Sequence, residues 1–264
     1  MSSSIIDDIA ADTRARVEES RRRVPMKVLR ERARMMGSDT GFPFEKALRS
    51  RGGISFICEV KKASPSKGII ARDFPYLSIA EDYEAGGANA ISVLTEPRWF
   101  LGSTEYLREI ASSVKIPCLR KDFVVDEYMI YEAKALGASA VLLISSLLDD
   151  DRLSYFIRTA DSLGLSALVE CRDAFDIGRS VSAGARIIGV NNRNLADFSV
   201  DPRNSARLRS LVPDDVIFVG ESGIRTPEDV RTLADSGADA VLIGETLMRS
   251  TDRKGMLAHL RGVC

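Results

Sequence analysis

The chain has 264 residues, 45% of them hydrophobic, and a formal net charge of −1. That is enough apolar material for one large core, and the near-zero charge excludes the electrostatic field that nucleic acid or an anionic membrane surface calls for. Four scattered cysteines (Cys58, Cys118, Cys171 and Cys264) form no C-x-x-C pair and have no histidine nearby, so the chain is expected to carry reduced thiols in the cytoplasm, with no disulfide framework and no metal site. Ser2 to Asp8 is polar and acidic, unlike a secretory signal, and the longest apolar run, around Ala140 to Leu148, is far short of a membrane span.

Residues 1–50 read as an N-terminal extension to residues 51–264, the whole forming a single domain. Ile5, Ile6, Ile9, Ala10 and Thr13 follow helical spacing. A basic stretch follows, with Arg14, Arg16, Arg21, Arg22, Arg23, Lys27, Arg30, Arg32 and Arg34, and it reads as a solvated helical face. Gly37 to Pro43 reads as a loop, and Phe44, Ala47 and Leu48 as the plug of whatever core lies beyond.

From Ile54 onward a unit repeats. Gly87-Ala88, Gly137-Ala138, Gly184-Ala185 and Gly237-Ala238 each end a helical pattern and open an apolar run, at intervals of 50, 47 and 53 residues. A further buried run lies between each pair: Ile116 to Leu119, Ala167 to Val169 and Val216 to Val219. With Ile54 to Val60 at the front, eight strands alternate with helices. In a chain of this size that pattern predicts a closed (β/α)8 TIM barrel, which takes about 250 residues. An open doubly wound sheet is the weaker reading, because no G-x-G-x-x-G follows the first strand. The last unit is the most explicit. Thr226-Pro227-Glu228 supplies a capping hydroxyl, a proline at the first helical position and an acid in the first turn.

The strand ends carry the chemistry. Side chains alternate along a strand, so Glu59 and Lys61 share one face and Cys58 and Val60 the other. Charges do not fit the outer face, where helices pack, so Glu59 and Lys61 are expected at the barrel mouth, with Ser64 to Gly68 as a loop over it. By the same parity Lys121 follows Leu119 inward and Glu170 follows Leu168. Asn191, Arg193 and Glu221 end the sixth and seventh strands, and glycines end the seventh and eighth (Gly220, Gly223, Gly244). Trp99 and Phe100 follow the second strand; lining a pocket and packing under a loop are both open to them. His259 lies in the last helix, beyond the strands, which removes histidine triads.

Active sites of such barrels sit at the C-terminal strand ends, and odd strands share a layer, so Lys121, Glu170 and Glu221 are expected to converge. Buried ion pairs stabilise weakly, so this many at one mouth points to acid–base chemistry. The glycines after the seventh and eighth strands are suited to a phosphate. The residues alone thus imply a cofactor-free acid–base enzyme for a small phosphorylated substrate and leave isomerase, aldolase and lyase open.

Glu59-Val60-Lys61-Lys62-Ala63-Ser64-Pro65-Ser66-Lys67-Gly68 resembles the signature segment of the indole-3-glycerol-phosphate synthase family. Lys121-Asp122-Phe123, Val169-Glu170, Asn191-Asn192-Arg193-Asn194-Leu195, Glu221-Ser222-Gly223-Ile224 and Gly244-Glu245-Thr246-Leu247-Met248 fit the family in the same order. The resemblance implies ring closure of 1-(2-carboxyphenylamino)-1-deoxyribulose 5-phosphate to indole-3-glycerol phosphate, with loss of CO2 and water, in tryptophan biosynthesis. It assigns the acid of ring closure to Lys121, the base of dehydration to Glu170 and the acid of dehydration to Lys61. Glu59, Asn191 and Glu221 are then positioning and polarising groups. Ser64, Phe123, Arg193 and Ser222 hold the substrate. Its phosphate meets Lys61 and the backbone around Gly223, Gly244 and Glu245, the Glu245 side chain pointing away. The helix near Ile5 is expected to act as a partial lid, and the protein to be a monomer or weak homodimer. A phosphoribosylanthranilate isomerase is the alternative within the fold, but it looks for a cysteine base on the first strand and an aspartate on the seventh, where this chain has outward-facing Cys58 and Glu221. A degenerate binding barrel is the non-enzymatic alternative, against which the complete charged set stands.

Overall fold

Eight parallel strands close into a barrel in the structure, a computed structural model that describes residues 5–49, 52–193, 199–201 and 203–262. They are Ser55–Val60, Ala90–Leu94, Cys118–Lys121, Ala140–Ile144, Ser166–Cys171, Ile187–Asn191, Ile217–Glu221 and Ala240–Ile243. Each pairs with its neighbour in sequence, and the eighth closes on the first with Ala240 opposite Ser55. That closure gives the expected (β/α)8 barrel and rules out the open sheet.

The repeated Gly-Ala ends the helices by backbone conformation. Gly87, Gly137, Gly184 and Gly237 have φ between 82 and 88°, a left-handed position that a side chain disfavours and that lets the last carbonyls be capped. The next N–H reaches back across the turn, as from Ala88 to the Tyr83 carbonyl at 2.9 Å and from Ala238 to the Leu233 carbonyl at 3.0 Å. At the other end of the last repeat, Thr226 and Asp229 form a reciprocal capping box ahead of Pro227–Asp235. Such a cap contributes about 1 kcal/mol.

Strand boundaries differ from the sequence expectation in one place that matters. The third strand begins at Cys118 and not Ile116, because Pro117 has no N–H for the ladder, and it runs on to Lys121. Lys121 is therefore held by sheet pairing, opposite Leu94.

Alternation divides the apolar residues into two cores. Cys58, Val60, Val141, Leu143 and Val169 face the surrounding helices. Ile57, Leu119, Leu142, Leu168, Val219 and Leu242 fill the barrel interior. The helix Pro43–Leu48 closes the bottom: Phe44 and Leu48 are buried in the inner cluster, while Ala47 contributes its carbonyl to the Ser55 hydroxyl. Glu45 anchors this plug to Arg186 at 2.8 Å and to the Ser166 hydroxyl at 3.0 Å.

The top is covered by α1 (Ile5–Arg23), whose Ile9 joins the inner cluster. The basic stretch is only partly the solvated face expected of it. Arg14, Arg22, Arg23, Lys27, Arg32 and Arg34 are exposed. Arg16, Arg21 and Arg30, however, dock on Asp122 (2.7 Å), Asp126 (2.8 Å) and Glu127 (3.0 Å) just beyond the third strand. Arg30 belongs to α2 (Met26–Met35). Asp122 is fully buried, while Arg16 stays partly exposed. No helix among the described residues is long and apolar enough to cross a membrane.

Candidate active site

A cavity of about 550 Å³ opens at the C-terminal ends of the strands. Inward parity and parallel register bring the charged strand ends to it. Lys121 Nζ lies 3.0 Å from Glu170 Oε2 and 2.7 Å from Glu221 Oε2. The expected convergence of the third, fifth and seventh strands is thus met by direct hydrogen bonds. Glu59 is buried beside them and pairs with Lys61.

Two glycines make room for this cluster. Gly189 faces inward opposite Glu170, and a Cβ there would lie 2.2 Å from Glu221 Oε1. A Cβ on Gly244 would lie 2.2 Å from Glu59 Oε2. Parity alone places both inward, but nothing in the sequence says which side chain takes the space.

Burial and charge set the protonation pattern. Burial works against the Lys121 ammonium, but Glu221, Glu170 and Glu59 outweigh it and raise its pKa, so it is protonated at neutral pH. Burial pushes the Glu170 carboxyl up, yet Lys121 and hydrogen bonds from its neighbours, Asn191 among them, hold it below the usual carboxylate range. For Glu221 burial wins: with Glu170 adding to it and Lys121 opposing, the carboxyl is pushed up to about 7. The two carboxyls share one lysine, so these protonations belong to the cluster and not to any one residue. Glu221 Oε1 is buried without a hydrogen-bond partner. A buried polar atom left so carries a desolvation cost, in keeping with the raised pKa of that carboxyl.

The remaining expected residues surround the cluster. Ser64, Phe123, Asn191, Arg193, Ser222, Gly223, Gly244 and Glu245 all line the cavity. Phe123 packs at 6.0 Å against Phe100, which also lines it, so an apolar, aromatic wall faces the charges. Trp99 divides from its neighbour: it packs between loop and helix, its indole N–H donating to Asp12 at 3.1 Å. Glu96 sets this loop by accepting from the N–H groups of Arg98, Trp99 and Phe100. Ser222 and Gly223 have φ of 67 and 79°, a consecutive left-handed pair that is strained at the serine and is fixed by Asn192, which donates to the Ser222 carbonyl at 3.1 Å. Asn194 and Leu195, like Cys264, lie outside the described residues.

The Glu245 carboxylate, expected to point away from the phosphate, lies among cations: 3.1 Å from Arg249, 3.8 Å from Lys67 and 4.0 Å from Arg193. Lys67 and Arg249 were not singled out in the sequence, because both sit outside the strand ends. Nor were Leu142 and Ile144, which line the cavity from the fourth strand; their inward parity was the available signal.

Cys58 lies in the outer core, its thiol raised by burial, away from the cavity. His259 is exposed. Among the described residues no three His, Cys, Asp or Glu side chains gather as metal ligands.

A model of the family described as indole-3-glycerol phosphate synthase matches residues 6–260. A protein of that name from Ruminiclostridium cellulolyticum is 55% identical over 258 residues, covering 98% of this chain and 99% of that protein. Another from Lachnoclostridium phytofermentans is 48% identical over 269 residues, covering 98% and 99%. Among solved structures, 3-hexulose-6-phosphate synthase from Salmonella typhimurium is similar with a TM-score of 0.65 at 15% identity, covering 80% of this chain and 98% of that one, a likeness of fold alone.

Proposed function

Because the chain belongs to the indole-3-glycerol phosphate synthase family, it converts 1-(2-carboxyphenylamino)-1-deoxyribulose 5-phosphate to indole-3-glycerol phosphate, CO2 and water in tryptophan biosynthesis, and we propose the following division of labour at its mouth. The substrate's aromatic ring lies against Phe100 and Phe123. Its phosphate lies over Gly223, Gly244 and the Glu245 N–H, with Lys61 as counter-charge. Ring carbon attacks the sugar carbonyl carbon, and Lys121 gives a proton to the carbonyl oxygen as charge develops there. The carboxyl leaves as CO2 and its bonding pair restores the aromatic ring. The new hydroxyl then departs as water with a proton from Lys61, while Glu170 accepts the proton released from the anilinic side.

Glu221 and Glu59 hold the two ammonium groups in place, Asn191 supports Glu170, and Ser64, Arg193 and Ser222 orient the substrate. The observation that carries this assignment is Lys121 Nζ held within 3.0 Å of two buried carboxylates on two other strands. A charged ammonium beside an ionised Glu170 is a ready acid–base pair at neutral pH. The reading extends to a cytoplasmic monomer or weak homodimer, in keeping with the free, buried thiols of Cys58, Cys118 and Cys171. The test is formation of indole-3-glycerol phosphate by the purified protein after exhaustive chelation. Turnover that vanished on chelation and returned with a divalent ion would overturn the all-protein acid–base scheme.

A further inference from the structure

Asp122 stands between Lys121 and Phe123, and its carboxylate is saturated. Oδ1 accepts from Arg16 Nη2 at 2.7 Å and from the Phe123 N–H at 2.9 Å. Oδ2 accepts from the Thr95 hydroxyl at 2.6 Å, Arg16 Nη1 at 3.1 Å and Arg120 Nη2 at 3.3 Å. Thr95 also donates its N–H to the Lys121 carbonyl at 3.1 Å. The backbone on both sides of Asp122 is thereby fixed. Thr95 directly follows the second strand and Arg120 lies within the third, wholly buried and bonded to the Met129 carbonyl at 2.8 Å. Arg16 alone comes from the N-terminal helix, and it grips both oxygens.

The helix does not need Arg16 in order to dock. Asp12 binds Arg98 at 2.7 Å, Arg21 binds Asp126 at 2.8 Å, and Ile9 is buried in the inner core. A bidentate pair at a buried carboxylate is also a poor way to gain stability, whereas it fixes geometry well. We propose that Arg16 is a positioning residue for ring closure, holding Asp122 so that the adjoining Lys121 meets the substrate in register. The inference rests on the reading of Lys121 as the acid. Displacements near 1 Å at a reacting group cost on the order of 10²-fold in rate. Arg16 acts at one remove, so its loss costs less.

The experiment measures single-turnover ring closure for Arg16→Met, Arg16→Lys and Lys121→Met and for Arg16→Met combined with Lys121→Met. Affinity for indole-3-glycerol phosphate and the thermal midpoint are taken in parallel. Arg16→Met should slow the chemical step about tenfold with product affinity little changed. Arg16→Lys, which keeps the charge and thus the fold, should recover part of that loss but not all, because one fork of the pair is missing. In the Lys121→Met background Arg16→Met should cost little more. A rate per folded molecule unchanged in both Arg16 variants would overturn the proposal, as would an equal loss in the two backgrounds. Native rate in Lys121→Met alone would instead fault the assignment of the acid, and a slow Arg16→Met beside it would overturn the proposed route through Lys121.

Discussion

Gly244 leaves the space that the Glu59 carboxylate occupies: a Cβ there would stand 2.2 Å from Glu59 Oε2 and 3.0 Å from Lys61 Nζ. The glycine at the end of the eighth strand is thus a condition for the ion pair on the first. Its φ of −119° is not left-handed, and Gly244→Ala acts through the displaced carboxylate. The variant should stay folded and lose about 10²-fold in kcat/KM. Steady-state kinetics with circular dichroism check this; a folded variant of native activity would show that Glu59 and Lys61 need not stand where they do.

Glu221 makes the site sensitive to pH near neutrality. Its carboxyl, ordinarily at 4.5, is pushed up to about 7 by burial, with Glu170 adding to it. The folded state therefore holds a proton that the unfolded chain has lost between those values, and this group's contribution to stability is present below 4.5 and lost as pH rises through about 7. Glu170, held below its usual range, has the opposite sign: its contribution is lost as pH falls through its folded value. As Glu221 ionises, Lys121 holds its proton more tightly and donates it less readily. The rate of ring closure should decline with an inflection near pH 7, and Glu221→Gln should remove the inflection and flatten the fall in thermal midpoint between pH 4.5 and 7. Retention of the inflection in the variant would assign it to another group.

Glu245 competes for the cations beside the proposed phosphate site. Burial works against its ionisation, but Arg249, Lys67 and Arg193 hold its carboxyl low, so it is an anion across the neutral range. Glu245→Gln keeps the backbone N–H and releases the cations. The substrate KM and the inhibition constant of inorganic phosphate should each fall about two- to fivefold, the scale of a partly exposed ion pair, with kcat unchanged. Inhibition measured in both proteins checks this, and weaker phosphate inhibition in the variant would place the phosphate elsewhere.

Alternation along single strands made the inward set of Glu59, Lys61, Lys121, Glu170 and Glu221 legible, because register in a closed parallel barrel fixes which strand ends share a layer. The helix start at Thr226-Pro227 and the helix-ending Gly-Ala repeats were legible for a similar reason, since their conformations are decided within a few residues. What the sequence hid depends on distant partners. Arg16 finds Asp122 106 positions away, so the basic stretch resembled a solvated face. Glu245 meets Lys67 from the loop after the first strand and Arg193 from beyond the sixth. The spaces at Gly189 and Gly244 are set by neighbouring strands, and a glycine by itself does not reveal what fills the volume it leaves.

The role of Lys121 is tested most directly by single-turnover kinetics of Lys121→Met, with substrate affinity and thermal midpoint measured on the same preparation. A lysine that only bridged Glu170 and Glu221 would, on replacement, leave two buried carboxylates unpaired and lower stability, activity falling only with the folded fraction. As the acid of ring closure it should leave a folded protein that binds substrate through the seventh and eighth strands and turns it over on the order of 10²- to 10⁴-fold more slowly. Near-native turnover by the folded Lys121→Met protein would contradict the account and move the acid to Lys61.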